Sequence, residues 1–136
     1  MILTWYRHQQ DGTTTILGVG EGEDDSPGLQ AMQEAVGGII ERIPDYYMTN
    51  QRNQLPYEVM LSVDGQDFKG VLYEIYVNEE SKLPLFAITD PDPVKERELR
   101  KAYVAENIND FSFVMQPHDF ILGDIVVCLA NVEVIE

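Results

Sequence analysis

Four polar residues stand at close or matching turn positions in the second half of the chain: Asn78, Glu80, Lys82 and Asp124. An amide, two carboxylates and an ammonium are the groups that bind a small polar ligand or assist a hydrolysis. The segment "VNEESKL" leaves an apolar run, so it reads first as a turn. In that reading Asn78 and Glu79 bond turn backbone groups and Lys82 pairs an acid. If a small-ligand or hydrolytic site exists, these four residues, beside Gly38, are where it is expected. Other chemistry is poorly supported. His8 and His118 are the only histidines, and the single cysteine, Cys128, lies in an apolar run where a thiol is ordinary packing. A Cys128–His118 dyad would have to form in space, and nothing in the sequence favours it. The glycines at 18, 20, 22 and 28 form neither a dinucleotide fingerprint nor a phosphate loop. The acids at 21, 23, 24 and 25 would repel a phosphate. They and the Asp residues near 64–67 and 90–92 could face a hard cation, but no stretch has EF-hand spacing. The expectation is therefore no catalytic residue, no metal and no cofactor, and the chain reads as a non-enzyme rather than an enzyme.

Charge narrows the partner. The net charge is −15, from 9 basic and 24 acidic residues. Phosphate backbones and anionic lipids are bound chiefly through Lys and Arg, so direct binding to nucleic acid or to a membrane is not expected. An acidic surface speeds encounter with a basic protein. Its special case is a nucleic-acid mimic that occupies a DNA-binding protein. Tyr46, Tyr47 and Met48, in a polar loop, form a candidate apolar interaction patch. Four of the nine cations, Lys95, Arg97, Arg100 and Lys101, sit together, and none follows Lys101. This dipolar pattern admits acidic-to-basic self-association into a homodimer. The expected function is that of a small cytoplasmic accessory protein acting by protein–protein interaction, with the ligand or hydrolytic site and the mimic as alternatives. The cytoplasm follows from one cysteine, no signal-like start and no apolar run near the ~18 residues of a membrane helix.

The elements that must position these groups can be read from periodicity and punctuation. "MILTWY" and "TTTILGV" flank an Asp11–Gly12 turn signal and predict a hairpin. An acidic loop, Gly20–Gly28, ends in Ser26–Pro27, a helix start. Leu29, Met32 and Val36 lie on one helical face. Gly37 stands where a left-handed cap is needed, and Gly38 where a strand entering a sheet needs close backbone approach. "IIERI" then predicts a short strand ended by Pro44. "YEVMLSV" and "GVLYEIYVN" predict strands around "DGQDFK", with Val71, Tyr73, Ile75 and Val77 as the core face. A second helix, capped by Asp90 or Asp92, carries Leu99, Ala102 and Tyr103 as its stripe, and "FILGDIVVCLANVEVI" closes the chain as a strand. Hydrophobic residues are 44% of the 136, which fits one domain, residues 1–136. The fold class expected is α+β: a mixed, mostly antiparallel sheet of about five to seven strands, two packed helices, and the unit around Val36–Ile43 at its centre.

Three segments in this order resemble the domain-of-unknown-function family 3846. They are "LQAMQEAVGGIIERIP", through Gln33, Val36, Gly37, Gly38, Ile40 and Glu41; "IYVNEESKLPLF", through Asn78, Glu79, Glu80 and Lys82; and "ILGDIVVCLA", through Gly123 and Asp124. Ser81 stands where that family typically has Gly. The resemblance covers roughly residues 26–130. It implies a fold and a setting in bacteria, phages or other mobile elements, and no reaction.

Overall fold

A computed structural model describes residues 1–136. Its frame is a curled, wholly antiparallel six-stranded sheet. The strands are β1 (Leu3–His8), β2 (Thr14–Gly20), β3 (Ile40–Arg42), β4 (Glu58–Val63), β5 (Gln66–Asn78) and β6 (Ile125–Ile135). The order runs β2-β1-β6-β5-β3, with β4 also paired to β5. The predicted hairpin forms β1 and β2, with Gly12 at φ +93° in its turn. Asp64 and Gly65, both at positive φ, make the two-residue turn between β4 and β5 that such a pair favours.

The sheet is buried on both faces, which explains why β6 reads as a nearly continuous apolar run. Ile125 through Ala130 are all buried. Val127 and Leu129 face a core with Tyr6, Leu72, Ile75 and Phe111, while Val126 and Cys128 face a second core with Trp5, Met32 and Val36. The second core lies under helix α1 (Leu29–Val36). The first is covered by short 3-10 turns at Asp45–Met48 and Asp110–Val114.

Several sequence expectations are corrected here. β5 begins at Gln66 and carries an extra residue: Leu72 faces Leu129 and Glu74 faces Cys128, so Tyr73 bulges out of register. The period-2 pattern therefore breaks. Leu72, Ile75 and Val77 enter the first core, while Val71, Tyr73 and Tyr76 pack against the second. Helix α1 starts at Leu29 with Gly28 as its cap, not at Ser26–Pro27, and Leu29 is exposed; Met32, Ala35 and Val36 form the buried face. β3 is an edge strand, so the unit around Val36–Ile43 lies at the margin and β6 and β5 hold the centre.

Beyond β5 the chain leaves the sheet as an arm. It contains helix α2 (Leu83–Phe86), a single turn that follows the Asn78–Lys82 turn directly and has no periodicity of its own in the sequence, and helix α3 (Pro93–Asn107). Asp92 caps α3: its carboxylate accepts from the Val94 N–H at 3.0 Å, and Pro93 follows it. Yet α3 has no buried residue. Its half-buried face is Glu96, Arg100, Tyr103, Val104 and Asn107; Leu99 and Ala102, expected in the stripe, are exposed.

Candidate interaction groove and polar sites

The glycine pair does two different structural jobs. Gly37 has φ +80° and ψ 22°, and its N–H bonds the Gln33 carbonyl at 2.9 Å, so it ends α1 in the left-handed conformation. At Gly38 a β-carbon would lie 2.9 Å from Asn78 Nδ2. Asn78 occupies that space because its amide donates to the Val36 carbonyl (3.3 Å) while Oδ1 accepts from the Glu80 N–H (2.8 Å). It fastens the end of α1 to the end of β5.

The four predicted ligand residues are not brought to one place. Asp124 accepts from Arg7 Nη2 at 3.0 Å and from the Gln10 N–H at 2.9 Å. Asn78 and Asp124 share a cleft of about 140 Å³ with Tyr103 and Asn107. Lys82 lines a separate cleft of about 100 Å³, where it pairs with Asp119 and sits 4.8 Å from the Phe120 ring centroid. Burial raises the Asp119 carboxyl, but the Lys82 hydrogen bond and the Phe120 N–H outweigh it and hold the group below its ordinary value. Glu80 is exposed and lines neither cleft. Both spaces are small beside the ~300–1,000 Å³ typical of ligand sites.

The predicted aromatic patch is also divided. Met48 is buried in the first core, and Tyr47 is partly buried against it. Tyr46 remains 66% exposed, edge-on to Tyr47 with ring centroids 5.3 Å apart. Cys128 is fully buried, and burial followed by the Glu74 and Glu23 charges pushes its thiol up to about 12. His118 is exposed. A thiol so raised is not a nucleophile.

Two polar clusters were not foreseen. His8, buried at the end of β1, holds Thr14 Oγ1 at 2.7 Å through Nδ1 and Asp110 Oδ1 at 2.6 Å through Nε2. It opens on a cleft of about 470 Å³ beside β4. A carboxylate, an imidazole and a hydroxyl in line resemble a nucleophile relay. The N–H groups of Gly12 and Thr13 in the adjoining turn are bonded to the Gln9 carbonyl and the Asp11 carboxylate, so these two do not serve as oxyanion donors. The second cluster lies at β5. Glu74, 3% exposed, accepts from Tyr76 at 2.5 Å and meets Arg42 at 3.2 Å. Desolvation, then the neighbouring Glu23 carboxyl, raises its pKa; Glu23 is correspondingly lowered, first by its hydrogen bond with Glu74. A run reading "LYEIYV" gave no sign of this, because Arg42 and Glu23 come from distant segments. No group of three or more His, Cys, Asp or Glu side chains is placed to hold a metal ion.

The largest apolar hollow lies along the arm. It has a volume of about 450 Å³ between α2, α3 and Phe120. Leu85, Phe86 and Phe120 form one wall; Val104, Ala105 and Ile108 form the other. Arg97, Arg100 and Lys101 line its rim. Arg100 donates twice to the Ile88 carbonyl, at 3.2 and 3.0 Å, which ties α3 to the segment that follows α2. Lys101 meets Glu98 only at 3.9 Å. Phe86 is 61% exposed, so the groove is open to water along its wall.

Comparison with protein families, with curated proteins and with solved structures finds no match. No helix is long and apolar enough to cross a membrane.

Proposed function

We propose that this protein is a cytoplasmic accessory factor that works by binding another protein, and that it catalyses no reaction. The observation that carries the reading is the arm. Across residues 81–108, Leu85 alone is buried, and the longest helix of the chain presents an apolar groove to water. A helix gains most of its stability from packing its apolar face, so an ordered helix with an unpartnered groove is what a docking surface requires. Tyr46 is the second contact point, an exposed aromatic of the kind that anchors interfaces. The acidic remainder of the surface supports rapid encounter with a basic region elsewhere on the same partner.

The test is affinity capture by the full chain in extract of its native cell at low salt, with Val104→Glu and Tyr46→Ser run beside the unaltered protein. The expected result is a partner that resists added free DNA and is lost with at least one variant, while both variants keep their melting temperature. Identical captures from all three proteins would reject the reading. So would a reproducible thermal shift with a small molecule that Glu80→Ala abolishes.

A further inference from the structure

We propose that the α2–α3 groove receives an acidic amphipathic helix from a different protein, with its carboxylates against the Arg97–Lys101 end and its apolar side chains against the Val104–Ile108 end. This deepens the interaction reading above and rests on it. Three observations lead to it. First, Arg97, Arg100, Lys101, Val104, Ala105 and Ile108 recur at spacings of three and four and so share one face of α3 and its extension. From Arg97 to Ile108 that face is about 16 Å long at 1.5 Å per residue, the length of three helical turns. A helix docked along a face of this length sets apolar anchors at i and i+3 or i+4 against Val104–Ile108 and its carboxylates one to two turns further, against Arg97–Lys101. Second, its charge is the reverse of the rest of the molecule. The chain carries −15, yet three of its nine cations line this one groove. An acidic segment is repelled by most of the surface and attracted here, which fixes both site and orientation. Arg97 is in no ion pair, and Lys101 has only its distant contact with Glu98. The partner's carboxylates therefore need break no strong pair.

Third, the alternatives fit worse. A second copy of this chain would bring its own α3 cations against these. Its acidic loop, Glu21–Asp25, has no apolar side chain to fill the trough. An anionic lipid surface is extended and would face the acidic remainder of the molecule as well as the groove, whereas a single helix meets the groove alone. A small ligand would stay wet against the exposed Phe86, whereas ligand sites bury most of their occupant.

The experiment replaces Phe86, and separately Tyr46, with the photoreactive p-benzoylphenylalanine in the full chain. The chain is irradiated in its native cell, and cross-linked segments are sequenced by mass spectrometry. The expected product at position 86 is a segment of another protein with helical apolar spacing and an excess of Asp and Glu. Its yield should fall roughly tenfold in Arg97→Glu/Lys101→Glu, as for loss of steering charges. Arg100 is left in place because it holds Ile88. An unchanged circular-dichroism melt of that double variant ties the loss to charge and not to unfolding. A lipid, a second copy, a neutral or basic segment at position 86, or a yield indifferent to charge reversal, overturns the proposal. Cross-links at position 46 alone overturn the groove while leaving the interaction reading standing. No cross-link at either position overturns both.

Discussion

The β5–β6 pair and the α2–α3 arm are neighbours in the chain and opposites in construction. β6 buries six consecutive residues, Ile125 to Ala130, because the sheet is covered by α1 on one side and by the 110–114 turn on the other. The arm carries a well-capped helix of 15 residues that buries none. Local chemistry, not a core, specifies α3: Asp92 at the cap, Pro93 behind it, Glu96 reaching the Asp90 N–H at 3.2 Å, and Asn107 closing on the Tyr103 carbonyl at 2.8 Å. The sheet is held by what it excludes from water, the arm by its ends and by Arg100.

The widest separation should come from truncating matched apolar side chains in the two regions. Leu129→Ala, at a fully buried position, is expected to cost about 3 kcal/mol, the transfer loss plus a cavity that the paired strands cannot close. Leu99→Ala, on α3 and 43% exposed, should stay within about 0.5 kcal/mol, as surface substitutions do. Denaturant midpoints at constant slope would measure both. Equal losses would show that the arm belongs to the same cooperative core and would remove the contrast.

The contrast also marks what could be read in the sequence. Features set by neighbouring residues were legible: the hairpin at Asp11–Gly12, the stop at Gly37, and the start of α3 at one of two Asp–Pro steps, Asp90 or Asp92; at Gly38 the close neighbour is not backbone, as expected, but the side chain of the distant Asn78. Features set by distant residues were not. Tyr73 reads as one more alternating strand residue until β6 is laid beside it. Asn109 carries no signal in its own segment, yet it is fully buried, donates to the His8 and Gly123 carbonyls and accepts from the Phe111 N–H. The polar site read as Asn78, Glu80, Lys82 and Asp124 was a set of types without a geometry. Arg7 and Asp119, from remote segments, claim two of the four. The groove was half visible, as a cluster of cations, but its apolar walls come from three segments that only the fold brings together.

The glycine pair offers a smaller test within the sheet-side region. Gly37→Ala should cost about 1 kcal/mol, because a β-carbon disfavours the left-handed conformation. Nothing lies within 4 Å of the new methyl, so the cost is conformational. Gly37→Asn should recover much of it, since Asn tolerates that region. At Gly38 the penalty is steric: an alanine there must displace the Asn78 amide. Thermal melts of Gly38→Ala alone and with Asn78→Ala would show it, the second change relieving the clash of the first. If the two losses simply add, Asn78 is not the obstacle.

The smallest expected effect is electrostatic, and it has opposite sign in the two regions. Glu74, in the sheet, has its carboxyl raised above the ordinary 4.5, first by desolvation. A raised acid contributes stability that is fully present below its unfolded pKa and is lost as pH rises through the folded one. Asp119, which holds the base of the arm through Lys82, is lowered beneath the ordinary 3.8. Its contribution is present above the unfolded pKa and is lost as pH falls through the folded one. Its pair is 30–40% exposed, so solvent screening leaves it a small term. In melts across pH, Glu74→Gln is therefore expected to flatten the decline above the usual carboxylate range. Lys82→Met should lower stability near neutrality and leave less to lose on acidification. If Glu74→Gln instead steepens the neutral decline, the ion pair with Arg42 outweighs the burial of the charge. The sheet would then contain a net favourable buried pair, and its margin would resemble the arm more than its core.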